Sequence, residues 1–549
     1  MSNIIPTQTK YIFVTGGVVS GLGKGITSAS LGLILKSAGL RVDAIKFDPY
    51  LNVDPGTMSP YEHGEVYVLD DGSECDLDLG HYERFLDTNL TSSSSVTAGK
   101  IYGSILEGER EGKYLGKNVQ LIPNVTNHIK DCFVRNLDGI DVRMIEIGGS
   151  AGDMEADIFL ESLRQFKLEN RKSVFHIHLG YIPFLACSNE YKSKPIQNSI
   201  RELLQKGLQP DMIVGRSESS TSRPVPAVIF DKIALFSNLE PAQVISVPDQ
   251  KSIYSVPVLL MKSQGVLDSL EKLLNQKIEI NLPKFFVGYK KVKFEKTVKI
   301  SLIAKYTKLS DAYLSVIESL NLAARELETN IEVKIIDADD ENLETLVRES
   351  GGIVVTGGFG VRGMEGKINA LRIARENKIP TLGICLGLQM MVVEFARNVC
   401  GIKNAASAEM FETRDEMTNS NIVIDYMEGQ ENIHKKGGTM RLGGYNCQIT
   451  DQTLASELFQ SKEVRMRHRH RLEVQNKELK LFSTKGLQVS GKFEYMNENG
   501  SKEFLVEIME LDQNLHPYYI STQAHPEFSS RPGSPNPFFT GLVREAMKR

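Results

Sequence analysis

The six cysteines, Cys75, Cys132, Cys187, Cys385, Cys400 and Cys447, include no Cys-x-x-Cys pair. Their wide spacing excludes a disulfide framework and offers no zinc pattern, which points to a reducing, cytoplasmic setting. No secretory leader opens the sequence, and no stretch supplies eighteen uninterrupted apolar residues. Secretion and membrane association are therefore not expected. Basic residues are not in excess either: 64 Lys and Arg stand against 69 Asp and Glu, for a net charge of −5. That balance provides no global cationic surface for nucleic acid, so any polyanion site must be local. Low-complexity tracts and internal repeats are lacking. What remains is an ordinary globular composition, 41% hydrophobic and 24% charged, over 549 residues. A chain of that length exceeds one hydrophobic core, and two or three domains are expected.

The apolar run Thr381-Leu-Gly383-Ile-Cys385-Leu-Gly387-Leu-Gln389 breaks at its glycines and continues with a helical pattern. Gly-x-Cys-x-Gly between a buried strand and a helix reads as a nucleophile elbow, in which glycines relieve the crowding of a sharp turn. It stands the thiol beside a helix N-terminus, where backbone N–H groups favour a thiolate. Taken alone, a buried structural cysteine is the better account of such a residue. Downstream, Gln523-Ala-His525-Pro-Glu527-Phe follows an apolar run. In an extended segment His525 and Glu527 share a side, which suits a general base and its orienting carboxylate. Upstream, Gly351-Gly-Ile-Val-Val-Thr-Gly357-Gly358-Phe359-Gly360 is a strand that opens into a glycine loop able to aim N–H groups at an oxyanion. The order of these three pieces resembles class I glutamine amidotransferase domains. That resemblance implies a Cys385-His525-Glu527 triad that releases ammonia from glutamine.

Near the start, the strand pattern Tyr11-Ile-Phe-Val-Thr runs into Gly16-Gly-Val18-Val-Ser20-Gly21-Leu22-Gly23-Lys24-Gly25-Ile26 and then a helix through Leu40. Strand, glycine loop, lysine and helix make a phosphate cradle. It is not a strict Walker A: Val18 replaces the first glycine, and Gly25 replaces the Ser or Thr after the lysine. Magnesium must then be held elsewhere. Asp76-Leu-Asp78 alternates so that both carboxylates share a face, and Asp141-Val-Arg-Met-Ile-Glu146 is a strand with Glu146 at its C-terminal end, where parallel sheets gather ligands. Asp78 and Glu146 are the expected magnesium pair. The segment Lys46-Phe-Asp48-Pro49 to Pro60 is too rich in proline and turn formers for a helix or central strand, and reads as a long functional loop. Lys192-Ser-Lys194-Pro195-Ile-Gln197 and Lys232 are separated cations that a solvated face would explain equally well.

The order of Thr15-Gly-Gly-Val-Val-Ser-x-Leu-Gly-Lys24-Gly, Lys46-x-Asp-Pro-Tyr, Asp54-Pro-Gly-Thr-Met-Ser-Pro-x-Glu-His-Gly-Glu65, Asp76-Leu-Asp-Leu-Gly-His-Tyr-Glu-Arg-Phe85 and the C-terminal glutaminase is similar to that of CTP synthases over nearly the whole chain. The resemblance implies an α/β fold of two doubly wound domains. The first would be a P-loop-like parallel sheet of the dethiobiotin-synthetase kind, and the second a class I glutaminase sheet with its nucleophile elbow. It implies that ATP phosphorylates O4 of UTP and that ammonia from L-glutamine displaces the phosphate to give CTP. The ATP residues would be Ser20, Gly21, Leu22, Gly23, Lys24, Gly25, Ile26, Lys46 and Asp78, with Mg2+ on Asp78 and Glu146. UTP, and CTP as feedback inhibitor, would meet Ser20, Asp153, Met154, Glu155, Lys192, Lys194, Gln197 and Lys232. Glutamine would meet Gly358, Leu386, Gly387, Gln389, Glu409 and Arg471. The family further implies GTP as allosteric activator, a homotetramer with pyrimidine sites at its interfaces, and an ammonia tunnel. Arg362 is a candidate GTP contact, though an ordinary surface arginine is as good a reading, and filament assembly is left open.

The pattern changes near residues 265–297, which places a synthetase domain at 1–275, a linker at 276–296 and a glutaminase domain at 297–549. Three positions depart from the family: Met154 stands where isoleucine is usual, Leu472 where tyrosine is, and Thr356 where proline is. Two other readings stay open, a corrinoid-type amidotransferase and a nucleotide-gated scaffold with a vestigial triad. The Asp54 to Glu65 loop and the intact triad, respectively, argue against them.

Overall fold

Four consecutive apolar residues, Tyr11 to Val14, lie buried. Alternate residues of a strand face opposite sides, so this run belongs to a sheet covered on both faces. The computed structural model describes residues 9–19, 21–218, 223–289, 294–427, 430, 438–496 and 500–549. The chain forms two units, Met1–Asp54 with Asp78–Val292, and Pro55–Leu77 with Lys293–Arg549.

The first unit is built on seven strands: β1 (Lys10–Gly16), β2 (Val42–Asp48), β3 (Ser95–Thr97), β4 (Val142–Ile147), β5 (Val174–Tyr181), β6 (Met212–Ser217) and β7 (Val244–Pro248). They lie in the order β7-β6-β5-β1-β4-β2-β3, and every pairing is parallel. Tyr11, Phe13, Ile45, Phe47, Ile145 and Ile147 share one core with Phe133, Phe159 and Phe166. On the other face, helix α1 (Lys24–Ser37) brings Gly32 against Met144, where a side chain on the glycine would be crowded. Helix α2 (Asp78–Leu86) packs beside α1, and α3 (Lys194–Gln205) packs beside β5. All strand C-terminal ends point one way, toward residues 17–19 and 21–23 and the residues after Asp48 and Ile147.

The second unit centres on nine strands, β8 (Thr297–Ala304), β9 (Asn330–Asp337), β10 (Gly352–Val355), β11 (Thr381–Ile384), β12 (Arg441–Ile449), β13 (Glu463–His470), β14 (Leu487–Met496), β15 (Lys502–Leu511) and β16 (Tyr519–Thr522). The order is β9-β8-β10-β11-β16-β15-β14-β12-β13. The first five strands are mutually parallel, and the pairings from β16 onward are antiparallel. Helices α4 (Met364–Glu376) and α5 (Leu386–Asn398) contribute Leu371, Met390 and Val393 to the core on one face. Val354, Leu382 and Ile384 face the other core. Among the described residues no helix is long and apolar enough to cross a membrane.

Several local expectations are corrected. Residues 55–77 fold with the second unit, although the first 275 residues were expected to form one domain, because this excursion buries its own anchors there. Tyr67 donates its hydroxyl to the Phe528 carbonyl at 2.8 Å, Glu65 accepts the Ser315 N–H at 2.6 Å, and Arg469 pairs with Glu74 at 2.8 Å. Lys46 to Asp48 are strand rather than loop, since they complete β2 before Pro49 ends it. Asp76 and Asp78 do not share a strand face: Asp78 opens α2, whereas Asp76 sits in the second unit 3.3 Å from His63. Within the expected linker, Lys284–Gly288 forms a short helix whose Phe286 packs at an angle against the rings of Phe85 and Tyr254.

Candidate active sites

In the second unit the chain leaves β11 at Cys385, which holds φ 53° and ψ −104°, a left-handed turn that L residues avoid. Its neighbours explain the glycines. A Cβ on Gly383 would lie 2.9 Å from Gly387 C and from Ser521 Cβ, and one on Gly387 would collide with the Val355 carbonyl. The elbow is therefore set by sterics at three successive odd positions. The Cys385 N–H bonds the Thr522 carbonyl at 2.8 Å, and Gln523 directs its amide at Sγ from 3.7 Å.

Pro526–Ser529 is a turn of 3₁₀ helix, not the extended segment expected, yet it still brings His525 Nδ1 to 2.7 Å from Glu527 Oε1. The imidazole stacks on Phe528 with ring centres 5.2 Å apart. Burial alone would depress the His525 pKa, but the charges of Glu527 and of Cys385 outweigh it and raise it to about 10. A Cβ on Gly357 would come within 3.2 Å of His525 Cε1 and 3.6 Å of Cys385 Cβ, so the glycine loop adjoins both. Cys385, His525, Glu527, Gly357, Gly358 and Phe359 line one cavity.

A neighbouring cavity, sharing Phe359 and Arg469, is lined by Glu409, Arg471, Tyr426 and Leu472. Glu409 accepts the Gly360 N–H at 2.6 Å, and burial holds its carboxyl above the usual range. Arg471 donates to Thr439 Oγ1 at 2.9 Å and to Gln430 Oε1 at 3.1 Å. Gln389 is buried and bonds the Leu472 carbonyl at 3.3 Å, which places it behind the cavity wall. Leu386 follows the nucleophile, and its Cδ2 lies 3.8 Å from where a Cβ on Gly358 would be. Thr356 uses its hydroxyl on the Ile303 carbonyl at 3.1 Å, an anchor that a proline there would lack. Arg362 is engaged rather than idle: it donates to the Lys305 carbonyl and, at 3.1 Å, to Tyr61.

In the first unit, Gly21 and Gly23 turn the loop with φ 71° and 86°. Val18 takes φ 84° although it is β-branched, so the position that departs from Walker A keeps a glycine-like backbone at a cost in strain. Leu22 is buried and Ile26 lies in the first turn of α1, whereas Ser20 lies outside the described residues. Lys24 donates to the Gly149 carbonyl at 2.9 Å, and burial lowers its pKa. Lys46 pairs with Asp78 and lies 3.6 Å from Asp48 and 4.0 Å from Glu146. Burial, and then repulsion from Asp78, push the Glu146 carboxyl up to about 7. Two carboxylates that repel each other in a buried site fit a hard divalent cation, which would let both ionise. No group of three or more ligating side chains occurs among the described residues, as a magnesium site that keeps its waters permits.

Among the pyrimidine candidates Asp153, Met154, Glu155, Lys194 and Lys232 are exposed, whereas Lys192 and Gln197 are half-buried. Asp153 caps the turn Met154–Ala156 and accepts the Ser150 N–H at 2.8 Å, and Met154 is 84% exposed. Lys194 and Gln197 lie in the first turn of α3, Lys192 precedes the helix, and Lys192 pairs with Glu190. The Lys192 hydrogen bond holds the Glu190 carboxyl below its ordinary range, and the charge of Lys232, in the helix Ala227–Ser237, acts in the same direction to a lesser degree. Among the described residues no hydrogen bond joins this group to Asp153 or Glu155.

Residues 10–276 match the family model described as CTP synthase N-terminus, and residues 308–544 match glutamine amidotransferase class-I. A CTP synthase of Caldanaerobacter subterraneus subsp. tengcongensis is 48% identical over 545 residues, covering 98% of each chain. One of Methanocaldococcus jannaschii is 46% identical over 558 residues, again 98% of each. The chain belongs to the CTP synthase family. Among solved structures, the glutaminase domain of Trypanosoma brucei CTPS with bound acivicin is 30% identical, covers 46% of this chain and 94% of that one, and aligns with a TM-score of 0.41. A CTP synthase is an ATP-dependent, glutamine-hydrolysing ligase, and ATP, UTP and glutamine are the substrates this membership implies.

Sequence reasoning missed several residues that adjoin these candidate sites. Tyr82 bonds Glu146 from one helical turn beyond Asp78, a spacing that was readable. Arg216, at the end of β6, brings Nη2 to 3.5 Å from where a Cβ on Gly23 would be. Lys305 and Lys367 lie beneath the glycine loop, and nothing local in the sequence marks either of them.

Proposed function

We propose that this CTP synthase phosphorylates O4 of UTP with ATP and displaces that phosphate with ammonia made at Cys385, giving CTP, ADP and phosphate. The observation that carries the glutaminase half is the strained Cys385 elbow facing the His525–Glu527 pair, which are 2.7 Å apart. Cys385 Sγ attacks the glutamine amide carbon, and the carbonyl oxygen becomes an oxyanion beside Gly357 and Gly358. His525 gives its proton to the departing ammonia, leaving a thioester. It then takes a proton from the water that releases glutamate, while Glu527 holds the ring in place. Arg471 and Glu409 suit the two charged ends of the amino acid, the first as a bidentate partner for its carboxylate.

In the synthetase unit, Lys24 and the loop N–H groups hold the ATP phosphates, and Lys46 neutralises charge on the group in transfer. Asp78 and Glu146 would hold Mg2+, which would supply positive charge against the nucleotide phosphates. Lys192, Lys194, Gln197 and Lys232 bind the UTP triphosphate, which CTP competes for, with Asp153 to Glu155 completing that site from another copy of the chain in a homotetramer. GTP activates glutamine hydrolysis, with Arg362 as a candidate contact. If Arg362→Ala leaves the GTP concentration dependence unchanged, that contact is wrong.

The test is CTP formation from UTP and ATP-Mg with either glutamine or ammonium chloride. Wild type should use both, and Cys385→Ala only ammonium. A Cys385→Ala enzyme that still uses glutamine would overturn the nucleophile, and a wild type that makes no CTP from either source would overturn the UTP chemistry.

A further inference from the structure

The glycine loop that faces Cys385 has its back to two lysines. Lys367, on α4, is fully buried, and its Nζ donates to the Thr356 carbonyl and lies 3.4 Å from the Gly357 carbonyl and 3.5 Å from Thr356 Oγ1. Lys305, at the end of β8, donates to the Phe359 carbonyl at 2.5 Å and to that of Gly360. Four of the five carbonyls from Thr356 to Gly360 are thus drawn to two amines. Extended backbone points successive carbonyls in opposite directions, so the convergence of 356 and 357 on one amine is a local departure from strand geometry. In a trans peptide the N–H points opposite to its carbonyl. Fixing the carbonyls of 356 and 357 therefore fixes the N–H groups of Gly357 and Gly358 on the far side, where Cys385 and His525 line the cavity.

We infer that Lys367 is a positioning residue for glutamine hydrolysis: its amine clamps the Thr356 and Gly357 carbonyls so that the N–H groups of Gly357 and Gly358 meet the oxyanion. This rests on the proposed role of Cys385 and adds the element that aims the loop. Lys367 touches no substrate, and its effect is confined to the tetrahedral state. A helix bearing an unneeded amine would not bury it, since an amine without acceptors costs several kcal/mol in an apolar site. Burial lowers the Lys367 pKa to about 7. The group donates whether charged or neutral, because both forms carry N–H.

The experiment compares wild type with Lys367→Met and Lys367→Gln in the full chain. Lys367→Met keeps the length and removes the donors, and Lys367→Gln keeps a donor. Losing an oxyanion donor costs about 100- to 1000-fold, and a loop left loose rather than emptied should cost less, about 10- to 100-fold in kcat for glutamine hydrolysis. KM should stay within about threefold, since ground-state binding is not involved. Glutamate γ-semialdehyde, whose adduct with the thiol places an oxygen in the same position, should bind more weakly in proportion to the lost kcat/KM. Alkylation of Cys385 by iodoacetamide, which needs no oxyanion contact, and ammonium-dependent CTP synthesis should persist. Lys367→Gln should be intermediate, and it carries the test alone if Lys367→Met does not fold. A kcat within twofold of wild type would overturn the inference, as would aldehyde binding that is unchanged while kcat falls. If wild type and Cys385→Ala hydrolyse glutamine equally, the glutaminase assignment itself fails, a result distinct from either.

Discussion

Gly25 opens the first helix directly against Asp78: a Cβ on Gly25 would collide with the carboxylate Oδ1. The residue that departs from the usual phosphate-loop pattern is thus explained, because the carboxylate fills the space where a Ser or Thr hydroxyl would otherwise stand. Gly25→Ser should push Asp78 away from Lys46 and Glu146. A displacement of about 1 Å at a phosphoryl-transfer site is enough for a 100-fold loss, so CTP formation from ammonium chloride should fall by that order while basal glutamine hydrolysis persists. Retention of full synthetase activity in the serine variant would show that Asp78 is not needed in that place.

Glu74 and Arg469 make a second test, inside the glutaminase unit. Glu74 Oε1 receives Arg469 Nε at 2.8 Å, with the Glu74 side chain 1% exposed, and Arg469 also donates to the Gly56 carbonyl at 3.0 Å. Removing one member of a buried pair leaves the other uncompensated, at a cost of about 3–5 kcal/mol. Glu74→Gln should lower the melting transition of this unit and raise the KM for glutamine, because Arg469 borders both cavities. A scanning calorimetry trace that matches wild type would count against a structural role for residues 55–77.

Which parts of this were legible in the sequence follows from how local each constraint is. The elbow could be read because its glycines flank Cys385 directly, even though the clashes they answer reach as far as Val355 and Ser521, and the strand, loop and helix around Lys24 because they are contiguous. The 55–77 excursion could not, because its anchors Tyr67, Glu65 and Glu74 look like any loop residues until Phe528, Ser315 and Arg469 are brought to them. Proline-rich composition also misled at Lys46 to Asp48, where pairing with Glu146 on β4 and with β3 overrides the turn formers that follow. Lys367 was invisible because nothing in a helix sequence distinguishes an inward amine from a solvated one.

The charge on His525 depends on Glu527, and that dependence sets a pH signature. Burial opposes protonation, but Glu527 and Cys385 carry the pKa to about 10. A histidine raised above its unfolded value of about 6.5 stabilises the fold fully below that pH, and the contribution drains away as the pH rises toward 10. Glu527→Gln removes the largest favourable charge, so urea unfolding of the glutaminase unit should lose much of its alkaline slope between pH 7 and 10. An unchanged slope would mean that another partner holds the proton. In the same variant glutamine hydrolysis should fall about 10⁴-fold, as expected for a base left in the wrong tautomer.

The opposite sign applies behind the phosphate loop. His178 bonds Thr15 Oγ1 at 2.9 Å and Ser199 Oγ at 2.6 Å, and His176 bonds the same Thr15 at 2.8 Å. Burial, and secondarily Lys24, lower the His178 pKa to about 3, and burial lowers that of His176 well below its ordinary value. Both rings are therefore neutral in the fold, while in the unfolded chain each takes up a proton near pH 6.5. Their contribution is present above that pH and is lost as the pH falls toward 3, at up to about 1.4 kcal/mol per pH unit for each ring. Calorimetry of the synthetase unit should show its transition falling steeply between pH 6.5 and 5, and His178→Asn should flatten that fall by about half while lowering stability at pH 8. The link to function is that Ser199 sits on α3 with Lys194 and Gln197, and Gly17 is packed so tightly on Ser199 that a Cβ there would collide. The neutral His178 ring accepts from one of these two hydroxyls and donates to the other, so His178→Asn, which cannot span both, should raise the KM values for ATP and UTP together. Wild-type stability that stays flat from pH 6.5 to 5 would show that the rings find protons in the fold.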